Sequence, residues 1–453
     1  GIIYALMGGK KLLPAQEILV PEESVPQYEF TLPAALNAGE EFVIVLGGKE
    51  EVERKGKGGL RAQTVAQRRR SFFLYVHTGG KQQYGEPEQF SLDVKGSDLE
   101  HIRVLTQSFV AKNKRFDLTV RFEDEYGNLT GNAPPDTVIE LSHENLRDNL
   151  KWRLFVPETG FITLPNLYFN DEGVYTVTLK NTATNQIFRS PPIKCFSEQP
   201  KSLFWGLLHG ESERFDATES IESCLRHFRD DKAYNFYATS CFEAVEETPN
   251  EVWKSVAQQI ADFNEDDAKD QKPLLRSKDL KYNQLKKIYK NSSPKELISI
   301  PTFTMGKGTE YNFAEYDSDF ERVVEIYNAW GSSETTKKEG NDRSIASSDN
   351  KGVAETVEGS IQKALLRNCR FGFIAGGLDD RGVYGSLYES NQLQYSPGLT
   401  AIIAANQSRE SLFEALHQRS CYATTGERII LGLQVAGASM GKEISTTEKP
   451  GLL

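Results

Sequence analysis

Histidine and cysteine are scarce in this chain, with six and five residues among 453. The cysteines, Cys195, Cys224, Cys241, Cys369 and Cys421, are odd in number and widely spaced, and none forms a Cys-x-x-Cys pair. Neither a disulfide framework nor a zinc ribbon is therefore indicated, and a reducing compartment is the mild preference. No apolar run approaches the roughly 18–20 residues that cross a bilayer, so no transmembrane segment is expected. Lys55-Gly56-Lys57-Gly58-Gly59 is glycine-rich but lacks the Gly-Lys-Ser/Thr of a phosphate loop. A net charge of -11 argues against nucleic acid as a partner. The opening Gly1-Ile2-Ile3-Tyr4-Ala5-Leu6-Met7 has neither a charged leader nor a convincing apolar region. A cytoplasmic location is the expectation, with an exported form left open because no initiator Met is present.

What is there describes a globular chain, 38% hydrophobic and 26% charged, long enough for two or three domains. The first two hundred residues read as strands broken by turns. Glu41 to Leu46 ends at Gly47-Gly48, and Ser71 to Val76 precedes Gly79-Gly80. Residues 1–96 are expected to form one β-sandwich. The basic run from Lys49 to Arg70, interrupted by Glu50, Glu51 and Glu53, reads as a solvated hairpin loop. A second unit spans residues 97–198. There Phe116 to Phe122 alternates apolar and polar residues and leads into the turn Glu123 to Asn128. Asp171-Glu172-Gly173-Val174-Tyr175 resembles the tyrosine corner of immunoglobulin-like sandwiches. From residue 199 to 453 the texture changes to alternating strands and helices. Strands are expected at Asn235–Thr239, Leu297–Ile300, Val323–Ala329, Phe371–Ala375, Leu399–Ala404 and Ile429–Val435. Helices are expected from Ser220, from Thr248 and over Arg409–Gln418, and a mobile surface loop over Thr335–Glu355. Such alternation suggests an α/β domain with a parallel sheet or barrel.

The segment Leu203-Phe204-Trp205-Gly206-Leu207-Leu208-His209-Gly210-Glu211-Ser212 resembles the opening strand of a bacterial family labelled as domain of unknown function 3604. That family is similar to the polymerase-and-histidinol-phosphatase (PHP) metallohydrolases. Pro294 to Pro301, Val324 to Glu334, Gly372 to Gly377, Gly398 to Ala401 and Tyr422 to Gly426 support the resemblance in order. It implies a distorted (βα) barrel of PHP type, with metals at the strand C-termini.

The chain departs from that pattern where the chemistry lies. His209 remains, but Glu211 replaces the second histidine of the first motif. The Thr-Asp-His motif reads Thr239-Ser240-Cys241, and Thr302-Phe303 stands where the family carries histidines. The late Asp-x-His motif reads Leu378-Asp379-Asp380, while Glu325 sits where a carboxylate is expected. The metal candidates are thus His209, Glu211, Glu325, Asp379 and Asp380, with Cys241 as a soft thiolate. They suit no metal, or one divalent ion such as Mg, Mn or Zn. Each has a plain structural reading as well: a satisfied rim histidine, a turn, a small buried thiol. Glu325 resists it most, because a buried carboxylate needs a partner, a cation or an arginine. Compared with the family, the chain is short between Asp267 and Ala268, and its end, Lys442 to Leu453, stops earlier than the resemblance implies.

The resemblance implies a degenerate PHP-like metallohydrolase fold, catalytically lost or impaired, serving in binding or scaffolding with an unknown protein or small-molecule partner. The alternative is an active metal-dependent phosphoesterase with an altered site.

Overall fold

The structure, a computed structural model, describes residues 3–14, 16–19, 26–46, 66–77, 84–143, 152–198, 201–211, 225–240, 258, 282–308, 310–345, 354–377 and 395–447. The chain forms two compact units, Gly1–Thr64 and Val65–Leu453.

In the first unit the chain reverses at Gly8 and Gly9, whose φ values of +54° and +75° suit the mirror-image turns of two-residue hairpins. Ile3–Met7 pairs antiparallel with Lys10–Leu12 on one side and Phe42–Leu46 on the other. Gln16–Leu19 and Pro26–Glu29 make a separate hairpin. Ile3 and Ala5 are buried, but Val43, Ile44 and Leu46 are exposed. A sandwich needs two sheets facing each other across a shared apolar layer. Among the described residues up to 96 there are one three-stranded sheet and two hairpins, all open. The sandwich expected over residues 1–96 is not seen among the described residues.

Residues 97–198 bury far more. The strands His101–Thr106, Phe116–Glu123 and Phe161–Leu167 form one sheet, with Phe116–Glu123 in the middle. Val138–His143, Trp152–Phe155, Val177–Asn181 and Ile187–Arg189 form a second. Phe109–Ala111, Gly173–Tyr175 and Ile193–Phe196 form a third, in which Ile193–Phe196 runs parallel to Phe109–Ala111. All three contribute to one core, including Leu118, Val120 and Phe122 from the first, Ile139 and Leu179 from the second, and Val110 and Ile193 from the third. Each such fully buried side chain contributes about 1.5–3 kcal/mol. The Tyr175 hydroxyl donates to the Asp171 carbonyl at 2.7 Å, the contact a tyrosine corner makes.

Beyond residue 200 two open sheets replace the expected barrel. The first runs in the order Phe236–Ser240, Ser202–Glu211, Leu399–Ala404, Cys421–Thr424. Ser202–Glu211 is parallel to Phe236–Ser240 but antiparallel to Leu399–Ala404, which is also antiparallel to Cys421–Thr424. The second sheet is Gly331–Ser332, Val323–Asn328, Gly372–Ala375. A (βα) barrel closes a ring of parallel strands, each followed by a helix. A strand antiparallel to both neighbours cannot belong to such a ring, and no described sheet closes. The helices described beyond residue 280 are short: Tyr282–Asn291, Ile361–Leu366 and Arg409–His417. The latter two are capped by Ser360 and Ser408, which accept from Lys363 N and Ser411 N. Among the described residues no helix is long and apolar enough to cross a membrane.

Several local expectations change. Residues 297–300 form no strand, although Ile298 and Ile300 pack on the core. The strand expected at Ile429–Val435 shrinks to Gln434–Val435, paired with Ala438–Ser439. In the supposed mobile loop Thr335, Ser344 and Ile345 are buried, and Glu339 completes a capping box with Thr336. Leu225 and Phe228 of the helix expected from Ser220 are buried; its first residues and the helix from Thr248 lie outside the described residues.

The β-rich region and the sheets that follow it are packed together. Trp205 Nε1 donates to Ser108 Oγ at 3.0 Å, and Phe109 packs against the cluster around Trp205 and Leu207. The buried Arg121 donates to the Asp230 carbonyl at 3.0 Å.

Candidate functional site

His209 and Glu325 meet where the two C-terminal sheets touch. His209 lies near the end of Ser202–Glu211, and a single parallel bridge joins it to Gly377. Glu325 lies in Val323–Asn328, a strand rich in β-branched residues and buried along nearly all its length. His209 Nδ1 is 3.0 Å from Glu325 Oε2, and Asn328 Nδ2 donates to Glu325 Oε1 at 2.8 Å. All three side chains are buried. The carboxylate selects the tautomer with the proton on Nδ1 and satisfies both donors. The partner sought for Glu325 is therefore an imidazole and an amide, not an arginine. Asn328 Oδ1 in turn accepts from Trp330 N at 2.9 Å.

Gly377 presses directly on this cluster. A Cβ at that position would lie 2.5 Å from Glu325 Oε2 and 2.7 Å from His209 Nδ1. Only glycine fits, and its backbone covers the pair. Phe303, where the family would carry histidine, stands edge-on to Trp330 with ring centroids 6.0 Å apart.

Of the other candidates, Glu211 is the last residue of the His209 strand. Asp379, Asp380 and Cys241 lie outside the described residues. Among the described residues no group of three or more His, Cys, Asp and Glu side chains is placed to hold a metal ion. Both oxygens of Glu325 are engaged by neighbours, and two side chains alone make a poor divalent site. Among the described residues there is neither barrel nor metal cluster, and the PHP-like metallohydrolase reading falls in both its degenerate and its active form.

Asn328 escaped sequence reasoning for a physical reason. Residues three apart on a regular strand point to opposite faces. The pairing with Gly372–Ala375 slips between Glu325 and Tyr327, so an extra residue there brings Asn328 to the side of Glu325. A second oversight is Gly437-Ala438-Ser439-Met440-Gly441, which has the spacing of a nucleophile elbow. Ser439 sits in the second strand of a two-residue hairpin, without the strand–turn–helix setting that an elbow requires.

A different kind of surface lies at the hairpin of Gln67–Leu74 and Glu88–Val94. The two strands pair Phe72 with Phe90, Arg70 with Leu92 and Leu74 with Glu88, which places Phe72, Leu74, Phe90 and Leu92 on one face. Phe90 and Leu92 are 53% and 55% exposed, so among the described residues no other layer covers that face, which Arg70 and Glu88 share by the same pairing. No third strand joins this sheet among the described residues. The triple arginine Arg68-Arg69-Arg70, expected in a loop, lies within the first strand.

The hairpin is rooted firmly. Ala66 N donates to Asn128 Oδ1 at 2.8 Å, and Ser97 N donates to Asp124 Oδ2 at 3.0 Å. Asp124 also accepts from Tyr126 N, Asn128 N and Asn128 Nδ2. Burial pushes the Asp124 carboxyl up, but bonds from Asn128, Ser97 and Tyr126 outweigh it and hold the group below the usual carboxylate range. The turn from Glu123 to Asn128 thus fixes both ends of the hairpin.

Comparison with known proteins adds the lineage. A family described as "Protein of unknown function (DUF3604)" matches residues 379–449. An uncharacterized protein of Chlamydia trachomatis serovar D is 49% identical over 475 residues, covering 100% of this chain and 76% of its own length. Uncharacterized proteins of Chlamydia pneumoniae and Chlamydia muridarum match at the same identity and coverage. The match to the 3604 domain covers residues 379–449, and the chain belongs to the family of these chlamydial proteins.

Proposed function

We propose that this chain is a protein-binding module whose working surface is the apolar face of the 67–94 hairpin. The observation that carries the reading is the exposure of Phe90 and Leu92 beside Phe72 on a sheet that no other described layer covers. A two-stranded hairpin is marginal by itself in water, and contiguous exposed apolar side chains mark interaction sites. Here the roots at Asp124 and Asn128 hold the strands in place, so the face is presented ready-made. The partner surface is apolar protein, consistent with a net charge of -11 that disfavours nucleic acid. In this reading the His209–Glu325 pair clamps two sheets and takes no substrate, because Gly377 covers it.

The test uses bis-ANS, a dye that brightens on uncovered apolar surface. The full chain is expected to bind it, and the double variant Phe90→Lys, Leu92→Lys to lose most of that signal. Equal fluorescence from both proteins would mean that the hairpin face is not the open surface.

A further inference from the structure

We propose that Arg103, Arg121 and Arg428 bind a divalent oxyanion, free phosphate or the phosphate group of a small molecule, where the immunoglobulin-like region meets the sheets that follow it. The inference goes beyond the hairpin surface and stands independently of it.

An unfavourable pairing marks the place. Arg121 of Phe116–Glu123 lies directly opposite Arg103 of His101–Thr106 in the ladder, so two arginines share one face of the sheet. Like charges in opposed positions destabilise a sheet unless something neutralises them. Glu123, two residues on and on the same face, does so in part. Its Oε1 accepts from Arg121 Nε at 2.9 Å and its Oε2 from Arg103 Nε at 3.0 Å. Among the described residues these two arginines pair with no other carboxylate.

A third guanidinium adds to the excess. The Arg121 side chain is 3% exposed, and its Nη1 donates to the Asp230 carbonyl at 3.0 Å. Arg428, half-buried, grips the same turn, its Nη2 donating to the carbonyls of Lys232 and Ala233 at 3.0 and 2.8 Å. Those acceptors are neutral. Among the described residues Arg428 forms no ion pair, and its Nε and Nη1 donate to nothing. The nearby Asp230 carboxylate is engaged by Arg229. Burial, with repulsion from Arg103 and Arg121, pushes the Arg428 guanidinium down to about 10, so all three arginines are charged at neutral pH.

Three guanidiniums against the single carboxylate of Glu123 leave two positive charges at a junction partly closed to water. A buried charge without a counter-ion is costly. A monovalent carboxylate ligand would leave one charge over. A phosphate group carries about -1.5 to -2 at pH 7 and offsets both. Its oxygens also match the planar guanidinium fork, which binds such groups through paired donors. The net charge of -11 opposes an extended polyanion, which leaves small phosphate compounds as the class.

Inorganic phosphate is the probe, titrated into the full chain by calorimetry with ionic strength held constant by chloride. Saturable binding is expected. Arg103→Gln, at a side chain that is 56% exposed, keeps the fold and weakens binding about tenfold, the size of one charge-assisted hydrogen bond. Arg428→Gln weakens it at least as much. Glu123→Gln removes the competing negative charge and acts in the opposite direction, tightening binding. In thermal unfolding this variant is less stable than the native chain and regains more when phosphate is added. Glycerol 3-phosphate separates the two sources: tighter binding than phosphate assigns the site to a phosphate ester, weaker binding to free phosphate. The absence of saturable binding, or binding that Arg103→Gln leaves unchanged, overturns the proposal. So does a Glu123→Gln variant that folds and binds phosphate no better than the native chain.

Discussion

Two strands of nearly the same pattern meet opposite fates. Phe116–Glu123 and Glu88–Val94 both alternate apolar with polar residues, with Phe, Leu and Val at every second place. Leu118, Val120 and Phe122 are completely buried among three sheets, whereas Phe90 and Leu92 remain more than half exposed. Alternation states that one face needs cover; it does not state what supplies the cover. For Phe116–Glu123 the cover comes from the same chain. For Glu88–Val94 the described residues supply none.

The contrast can be broken at three points. The largest effect is expected from Phe122→Ala, which opens a cavity in the shared core. Urea denaturation should register a loss of about 3–5 kcal/mol. Next comes Asp124→Ala, at the turn that joins the two regions. It removes the carboxylate that accepts from the part-buried N–H groups of Ser97, Tyr126 and Asn128 and should cost about 1–3 kcal/mol. Hydrogen exchange should also quicken across the hairpin while Leu118 and Val120 stay protected. The smallest effect is that of Phe90→Lys with Leu92→Lys, which should change the stability of the folded chain by no more than about 0.5 kcal/mol. A loss approaching that of Phe122→Ala would mean the hairpin face is internal, and the comparison would collapse.

What could be read in advance follows the same division. The strand at Leu399–Ala404 and the helix from Arg409 were legible to within a residue, because period and capping are local signals. The Tyr175–Asp171 bond was legible because its spacing is short and its residue types are demanding. The direction of Leu399–Ala404 was not. A hydrophobic strand buried on both faces looks alike in parallel and antiparallel settings, and its neighbours lie about two hundred residues away in Ser202–Glu211 and close by in Cys421–Thr424. The expected barrel failed on that orientation. At the candidate site, His209 and Glu325 were singled out as metal candidates and meet instead as a hydrogen-bonded pair, whereas Asn328 and Gly377 were not singled out. A bulge and a close backbone approach are facts of pairing between distant segments, and they leave little mark on the residues themselves.

The turn at Asp124 carries one more consequence. Its carboxylate accepts from Ser97 N at the root of the hairpin and from Tyr126 N and Asn128 N within its own turn. One side chain thus buckles two segments of the chain, and a substitution there is felt by the hairpin root and by the turn of the core strand in a single step.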